Sequence, residues 1–177
     1  MSGGMNSFRT KLLALLLIAT VIFALSLYFP AATLDRTCPG STDLPASASP
    51  IAGMGNPPLG ETTTDLGLFY VFGVFALLMG STGAIGWIAN PLIIFSAYLL
   101  LKNRKPILAL KTSLLALTLA ALSLYATNWL VLYGDEGGVC RSSAVAAHLG
   151  YWLWLSSIFL VTLGAAIATL SKVRDVA

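Results

Sequence analysis

Charge is scarce in this chain, and where it is missing carries the first information. Only 10% of the 177 residues are Asp, Glu, Lys or Arg, while 57% are hydrophobic. A soluble globular domain usually carries about 25% charged residues. Every ionisable residue of these four types lies in a polar stretch or near the end of an apolar run. Ion pathways and proton relays usually need such groups inside the membrane. This distribution speaks against a charge-lined pump or channel made of one copy, and leaves open a pore made of several. Histidine is almost absent too. His148 stands alone, and metal or haem sites need several ligands. "GDEGG" (Gly134–Gly138) has two adjacent acids on a turn, without the alternating acidic spacing of a calcium loop. No Ser-His-Asp arrangement, P-loop or dinucleotide fingerprint is present. Gly80, Gly83 and Gly86 lie in an apolar segment and read as helix breaking or close packing. No catalytic residue, metal or cofactor is assigned, and the chain is not read as an enzyme.

What is present is apolar length. Mean hydropathy is +0.85. About 20 apolar residues at 1.5 Å each cross a hydrocarbon core of roughly 30 Å. Leu12–Phe29 is one such run, preceded by Arg9 and Lys11. It is longer than the roughly 7–15 residues of a signal-peptide core. Pro30 also spoils the cleavage site before Ala31, so the run reads as an uncleaved first span. Residues 30–66 hold Pro39, Pro45, Pro50, Pro57 and Pro58 among Gly, Ser and Thr, with no period of 2.0 or 3.6, and read as a loop. Leu66–Leu101 as one helix would reach about 54 Å, too long for a single crossing. Gly80, Ser81, Thr82 and Gly83 divide it into an interfacial or re-entrant helix over 67–79 and a second span over 84–101. A third span covers 107–133, a second polar loop 134–148, and a fourth span 149–170.

The expected fold is therefore all-α. Four transmembrane helices form an antiparallel bundle within a single integral membrane domain, residues 1–177, with the extra helix before the second span. Arg9, Lys11, Lys102, Arg104, Lys105, Lys111, Lys172 and Arg174 fall on one side of this topology, and only Arg36 and Arg141 on the other. Lys and Arg in short loops mark the cytoplasmic side. Both termini are expected in the cytoplasm of a bacterial cell, with the 30–66 and 134–148 loops outside its inner membrane. The same rule accounts for a net charge of +3 without nucleic acid as a partner.

The only two cysteines, Cys38 and Cys140, then fall one in each outside loop. Thiols oxidise in such a compartment. A Cys38–Cys140 bridge would tie the loops together, worth roughly 4–5 kcal/mol in the simplest entropic treatment. The alternative is two free or intermolecularly paired thiols. Four spans and outside cysteines resemble the architecture of disulfide-generating quinone reductases of the bacterial inner membrane. "RTCPGST" and "GGVCRSS" carry one cysteine each, however, and a thiol–disulfide relay needs a resolving partner for each attacking thiol.

Small residues supply packing chemistry. Gly150, Ser157, Gly164 and Ser171 recur at a spacing of seven on the fourth span. Ser113, Ala116, Ala120, Ser123 and Thr127 line one face of the third. Small residues let helices approach closely in lipid. Tyr151, Trp152 and Trp154, with Trp129 and Tyr133, read as an aromatic belt at the membrane interface. The oddity is Asn90–Pro91 inside the second span. Proline lacks an N–H and crowds the carbonyl four residues back, at Trp87, so a kink is expected there. An amide facing lipid would find no partner. Asn90 should therefore face the bundle interior and bond Ser123 first, Ser157 second, or the freed Trp87 carbonyl, as a structural amide or as a ligand contact.

"WIANPL" (Trp87–Leu92) and "GYWLWLSS" (Gly150–Ser157) together carry a family resemblance. The chain resembles small uncharacterised four-helix inner-membrane proteins of bacteria. That resemblance implies fold and location, and no activity. Three readings of function follow. The first is a non-enzymatic accessory or assembly factor that binds another membrane component. The second is a small transporter or channel-forming homo-oligomer, and the third a quinone- or lipid-linked enzyme. The lipid bilayer is a partner in all three.

Overall fold

The computed structural model describes residues 3–37, 63–66, 82–102, 105–125 and 141–174. The expected interfacial helix over 67–79 lies outside these residues. So do Cys38, Cys140, Thr127, Trp129, Tyr133 and the end of the expected third span.

The described chain is mostly helical, with four α-helices: α1 Gly3–Ser26, α2 Ala89–Leu101, α3 Pro106–Leu122 and α4 Leu149–Arg174. Arg9–Ser26 and Leu149–Lys172 are long and apolar enough to cross a membrane. Ile85–Leu101 and Pro106–Leu122 are shorter apolar helices.

Helix α1 is rich in Leu and Ala, which lose little on becoming helical. Its last turn tightens, with Leu27 N–H donating to the Ala24 carbonyl at 3.3 Å and Tyr28 N–H to that of Leu25 at 3.0 Å. Pro30 then cannot continue the helix and opens a strand instead, a position that proline tolerates.

Helix α2 is preceded by a 3₁₀ segment, Thr82–Ile88. The α-ladder begins only at Ala89, so Pro91 falls in its first turn, where backbone N–H groups have no intrahelical acceptor to lose. The chain changes helix type between Ile88 and Ala89, two residues before the proline.

Helices α2 and α3, next to each other in sequence, pack against each other. Lys105 has φ 48°, the left-handed conformation, and caps α3 with Pro106 at its first position. The Lys105 carbonyl accepts from Leu108 N–H at 2.9 Å and Ala109 N–H at 3.1 Å. Ser96 on α2 donates to the Ala109 carbonyl on α3 at 2.8 Å, joining the two helices directly. Ala109, Ser113, Ala116 and Ala120 on α3, continued by Ser123 just past its end, form one buried stripe. The steps of four and three residues make a narrow seam of small side chains, suited to close approach. Helix α4 is the central element, packing against α1, α3 and α2, whereas α1 leans chiefly on α4. Gly164 admits α1 here. A Cβ at this position would lie 3.0 Å from Leu15 and 3.3 Å from Leu12.

The polar loops are not wholly irregular, which corrects the all-α expectation. Strands β1 Pro30–Thr37, β2 Thr63–Leu66 and β3 Arg141–Ala147 form a three-stranded antiparallel sheet ordered β2-β1-β3. The central strand pairs Thr33 with Thr64 on one side, and Thr33 with Ala146 on the other. The sheet stands at the end of the bundle where α1 finishes and α4 begins. His148 N–H donates to the Ala31 carbonyl at 2.8 Å. A Cβ at Gly150 would collide with the Phe29 carbonyl oxygen and lie 2.7 Å from that of Pro30. Gly150 is thus a seat for the β1 backbone, rather than a helix-packing residue.

Candidate functional site

Beneath the sheet, the first turns of α2 and α4 and the last turn of α3 meet in a buried polar junction. Its centre is Trp154 on α4, which has no exposed surface. The indole N–H donates to the Asn90 Oδ1 on α2 at 2.9 Å. Tyr151, one turn earlier and equally buried, donates its hydroxyl to the Ala120 carbonyl on α3 at 2.8 Å. Ser123 donates to the same carbonyl at 2.7 Å. The last carbonyls of a helix lack regular intrahelical donors. Two side chains supply them here, where apolar surroundings would make an orphan carbonyl costly. Ser157 donates to the Trp154 carbonyl at 2.7 Å. The Tyr151 and Trp154 rings lie 5.8 Å apart at 60°, within the range of favourable aromatic pairs.

The 3₁₀ segment closes the junction from the side. A Cβ at Gly86 would fall 2.7 Å from Ser123 Cβ and 3.5 Å from the Trp154 ring. Only glycine allows the segment to come this near.

Several sequence expectations meet here. Asn90 is buried, and Ser123, Ser157, Ala116 and Ala120 are buried with it in the described core, while Pro91 is exposed. The carboxamide oxygen takes the indole N–H of Trp154, a partner absent from the expected order. Ser123 and Ser157 direct their hydroxyls at carbonyls of their own helices. Cys38 and Cys140 lie outside the described residues.

The aromatic belt is also corrected. Trp152 is half exposed, but Tyr151 and Trp154 belong to the core. A signal for this was present in the sequence. Tyr151, Trp154 and Ile158 share the helical face of Gly150, Ser157 and Gly164, at steps of three and four, whereas Trp152 points elsewhere. Gly86, read from the sequence as helix breaking or close packing, is closely packed here, whereas Ser96 was missed, because its contact depends on what faces the residue.

Among the described residues no three His, Cys, Asp or Glu side chains gather in one place. At the junction, Trp154 and Tyr151 on α4 donate to groups on α2 and α3. An interhelical hydrogen bond of this kind is worth about 0.6 kcal/mol on average and up to about 1.7 kcal/mol. The chain matches no protein-family model, no curated protein and no solved structure.

Proposed function

We propose that this chain is a four-span protein of the bacterial inner membrane that binds another membrane component, as an accessory or assembly subunit. Two helices meet the length requirement alone. The other two approach it with their 3₁₀ extensions. Thirteen α-residues and seven 3₁₀ residues reach about 34 Å, and seventeen plus three reach about 32 Å, against a core of roughly 30 Å. The surface supports the same reading. Leu17, Ile94, Leu115 and Phe159, one on each helix, are exposed. Arg9, Lys11, Lys102, Lys105, Lys111 and Lys172 are exposed too, all at the end opposite the sheet. That asymmetry favours a cytoplasmic basic end and an external sheet.

The observation that carries the binding role is the use of the interior polar groups. Asn90, Trp154, Tyr151, Ser123, Ser96 and Ser157 hold helices and carbonyls together. The sheet, seated on α4 through Gly150 and His148, is then the built surface that the bundle presents. Co-purification in mild detergent, with mass determination and ligand identification, tests the role. A discrete protein partner is the expected result. A symmetric homo-oligomer that passes solute in liposomes would favour transport instead, and bound quinone or lipid head group an enzyme. Orientation is tested separately with single cysteines at Ser47 and Asn103 and an impermeant thiol reagent. Labelling is expected at Ser47 in intact cells, and labelling at Asn103 alone would reverse the topology.

A further inference from the structure

We propose that the basic end of the bundle holds the head group of an anionic phospholipid among Lys11, Lys102 and Lys105, in the cytoplasmic leaflet, a placement that rests on the proposed four-span topology. Gly164 on α4 sets the level. A Cβ there would lie 3.0 Å from Leu15, 3.3 Å from Leu12 and 3.9 Å from Leu100. Helices α1 and α2 therefore meet over the same point of α4. Lys11 precedes Leu12 by one residue, and Lys102 follows Leu100 by two. Both lysines stand within about 3 Å of that level along their helices, on the side away from the sheet. Lys105 reaches the same level by another route. Helices packed side by side and joined by so short a link run antiparallel. Ser96 on α2 bonds the Ala109 carbonyl on α3. Leu100 lies four residues past Ser96 and Lys105 four before Ala109, so each is about 6 Å beyond that bond. Three residues of chain also keep the Cα atoms of Lys102 and Lys105 within about 11 Å of each other. All three lysines are exposed.

Charge around this point is unbalanced. Asp35 and Asp65 are the acids among the described residues, and both lie in the sheet at the other end. Over the whole sequence, the topology sets eight basic residues at this end against Asp175 alone. Lysines crowded in this way lose mutual repulsion by sharing an anion, and a phosphate oxygen accepts from an ammonium group directly.

Lys105 adds a feature that orientation in the membrane does not require. Its φ of 48° is left-handed, a conformation with a steric cost that glycine escapes. Lys102, with ordinary right-handed dihedrals, already supplies a cation here without strain. A lysine kept at the strained position fixes where the second ammonium group starts, and strain of this kind gathers at ligand clamps. One phospholipid fits the whole arrangement. Its phosphate meets the lysines, and its acyl chains run toward the sheet along exposed apolar side chains of the same helices, such as Leu13 and Leu17 on α1 and Tyr98 on α2. The head group is of the phosphatidylglycerol class, because a zwitterionic head carries its own ammonium and would return a cation to the cluster.

The test uses the full chain in a neutral detergent, with thermal unfolding followed as phosphatidylglycerol or phosphatidylcholine of matched chains is added. A ligand that binds the folded state raises Tm with its concentration. Phosphatidylglycerol should raise Tm, and phosphatidylcholine and inorganic phosphate should not. One lysine near an anionic head is worth about fivefold in binding. Lys102→Gln and Lys105→Gly should each need about fivefold more phosphatidylglycerol for the same rise. Lys105→Gly should also unfold at a higher temperature than the native chain in detergent alone, because glycine relieves the left-handed backbone. Lys172→Gln removes the same charge eight residues past Gly164, about 12 Å farther out, and should respond as the native chain does. No rise with phosphatidylglycerol, an equal rise with phosphatidylcholine, an equal loss in Lys172→Gln, or a native lipid response in Lys105→Gly would each overturn the proposal. An equal rise with inorganic phosphate would identify a site for soluble anions and overturn the lipid. Vesicle flotation after reconstitution separates the topology from the site. A chain that floats with vesicles of either lipid, yet shows no preference in unfolding, overturns the head-group site alone. A chain that floats with neither overturns both.

Discussion

Replacing Asn90 with Leu puts the buried junction to a quantitative test. The indole of Trp154 has one N–H, and it is committed to the Asn90 carboxamide at 2.9 Å. Leucine keeps similar bulk and removes the acceptor. A buried donor stripped of its partner costs about 1–3 kcal/mol, so Asn90→Leu should destabilise by that amount. Trp154→Phe removes the donor and also leaves space, so its own cost mixes two effects. A double-mutant cycle separates them, because the space left by the smaller ring enters both arms and cancels. Both side chains are buried and the bond is short, which places its coupling in the upper part of the measured range for interhelical bonds, about 1–1.7 kcal/mol. The double variant should therefore be more stable than the sum of the single losses by that margin. Unfolding in mixed detergent micelles, followed by far-ultraviolet circular dichroism, supplies the four free energies without relying on tryptophan emission. Additive losses would refute the argument that this bond locks helix register. Asn90→Leu also separates structure from ligand contact. A structural amide predicts altered stability or assembly with partner binding retained, and lost binding in a normally stable protein would refute it.

Three further outcomes follow from the packing. Gly86→Ala should destabilise by about 1–3 kcal/mol, the usual range for overpacking, since the added methyl meets Ser123 Cβ, an atom that cannot swing away; Ser123→Gly in the same chain should recover part of the loss in the same unfolding assay. Gly150→Ala should loosen the sheet from α4, because the methyl meets the backbone carbonyls of Phe29 and Pro30; faster hydrogen exchange over 30–37 with unchanged protection across α2 and α3 is the expected pattern. Ser96→Ala removes the bond to the Ala109 carbonyl but little volume, so a loss near the 0.6 kcal/mol average is expected, and a loss above about 2 kcal/mol would show that the α2–α3 contact is held differently.

Long apolar runs and the placement of ten basic residues were legible directly. Burial of Asn90 was legible as well, since an amide in an apolar helix has few other tolerable positions. The indole of Trp154 as its donor was not. Depth along the helices favoured serines, whereas reach and facing decided for Trp154, and facing depends on how α2 and α4 rotate against each other.

The sequence alone determined which segments become apolar helices, because helical hydrogen bonding is local and most residues of Leu12–Phe29 or Leu149–Leu170 favour leaving water on their own account. Only tertiary structure decided the rest. Pro30–Thr37 and Arg141–Ala147 show no alternating pattern to mark them as strands. Each extends because the other, a hundred residues away, completes its hydrogen bonds, and strand preference is largely a property of such partners. The same holds for Gly86, Gly150 and Trp154. Whether a glycine is a hinge or a seat, and whether a tryptophan is a membrane anchor or a keystone, depends on what the fold sets against it.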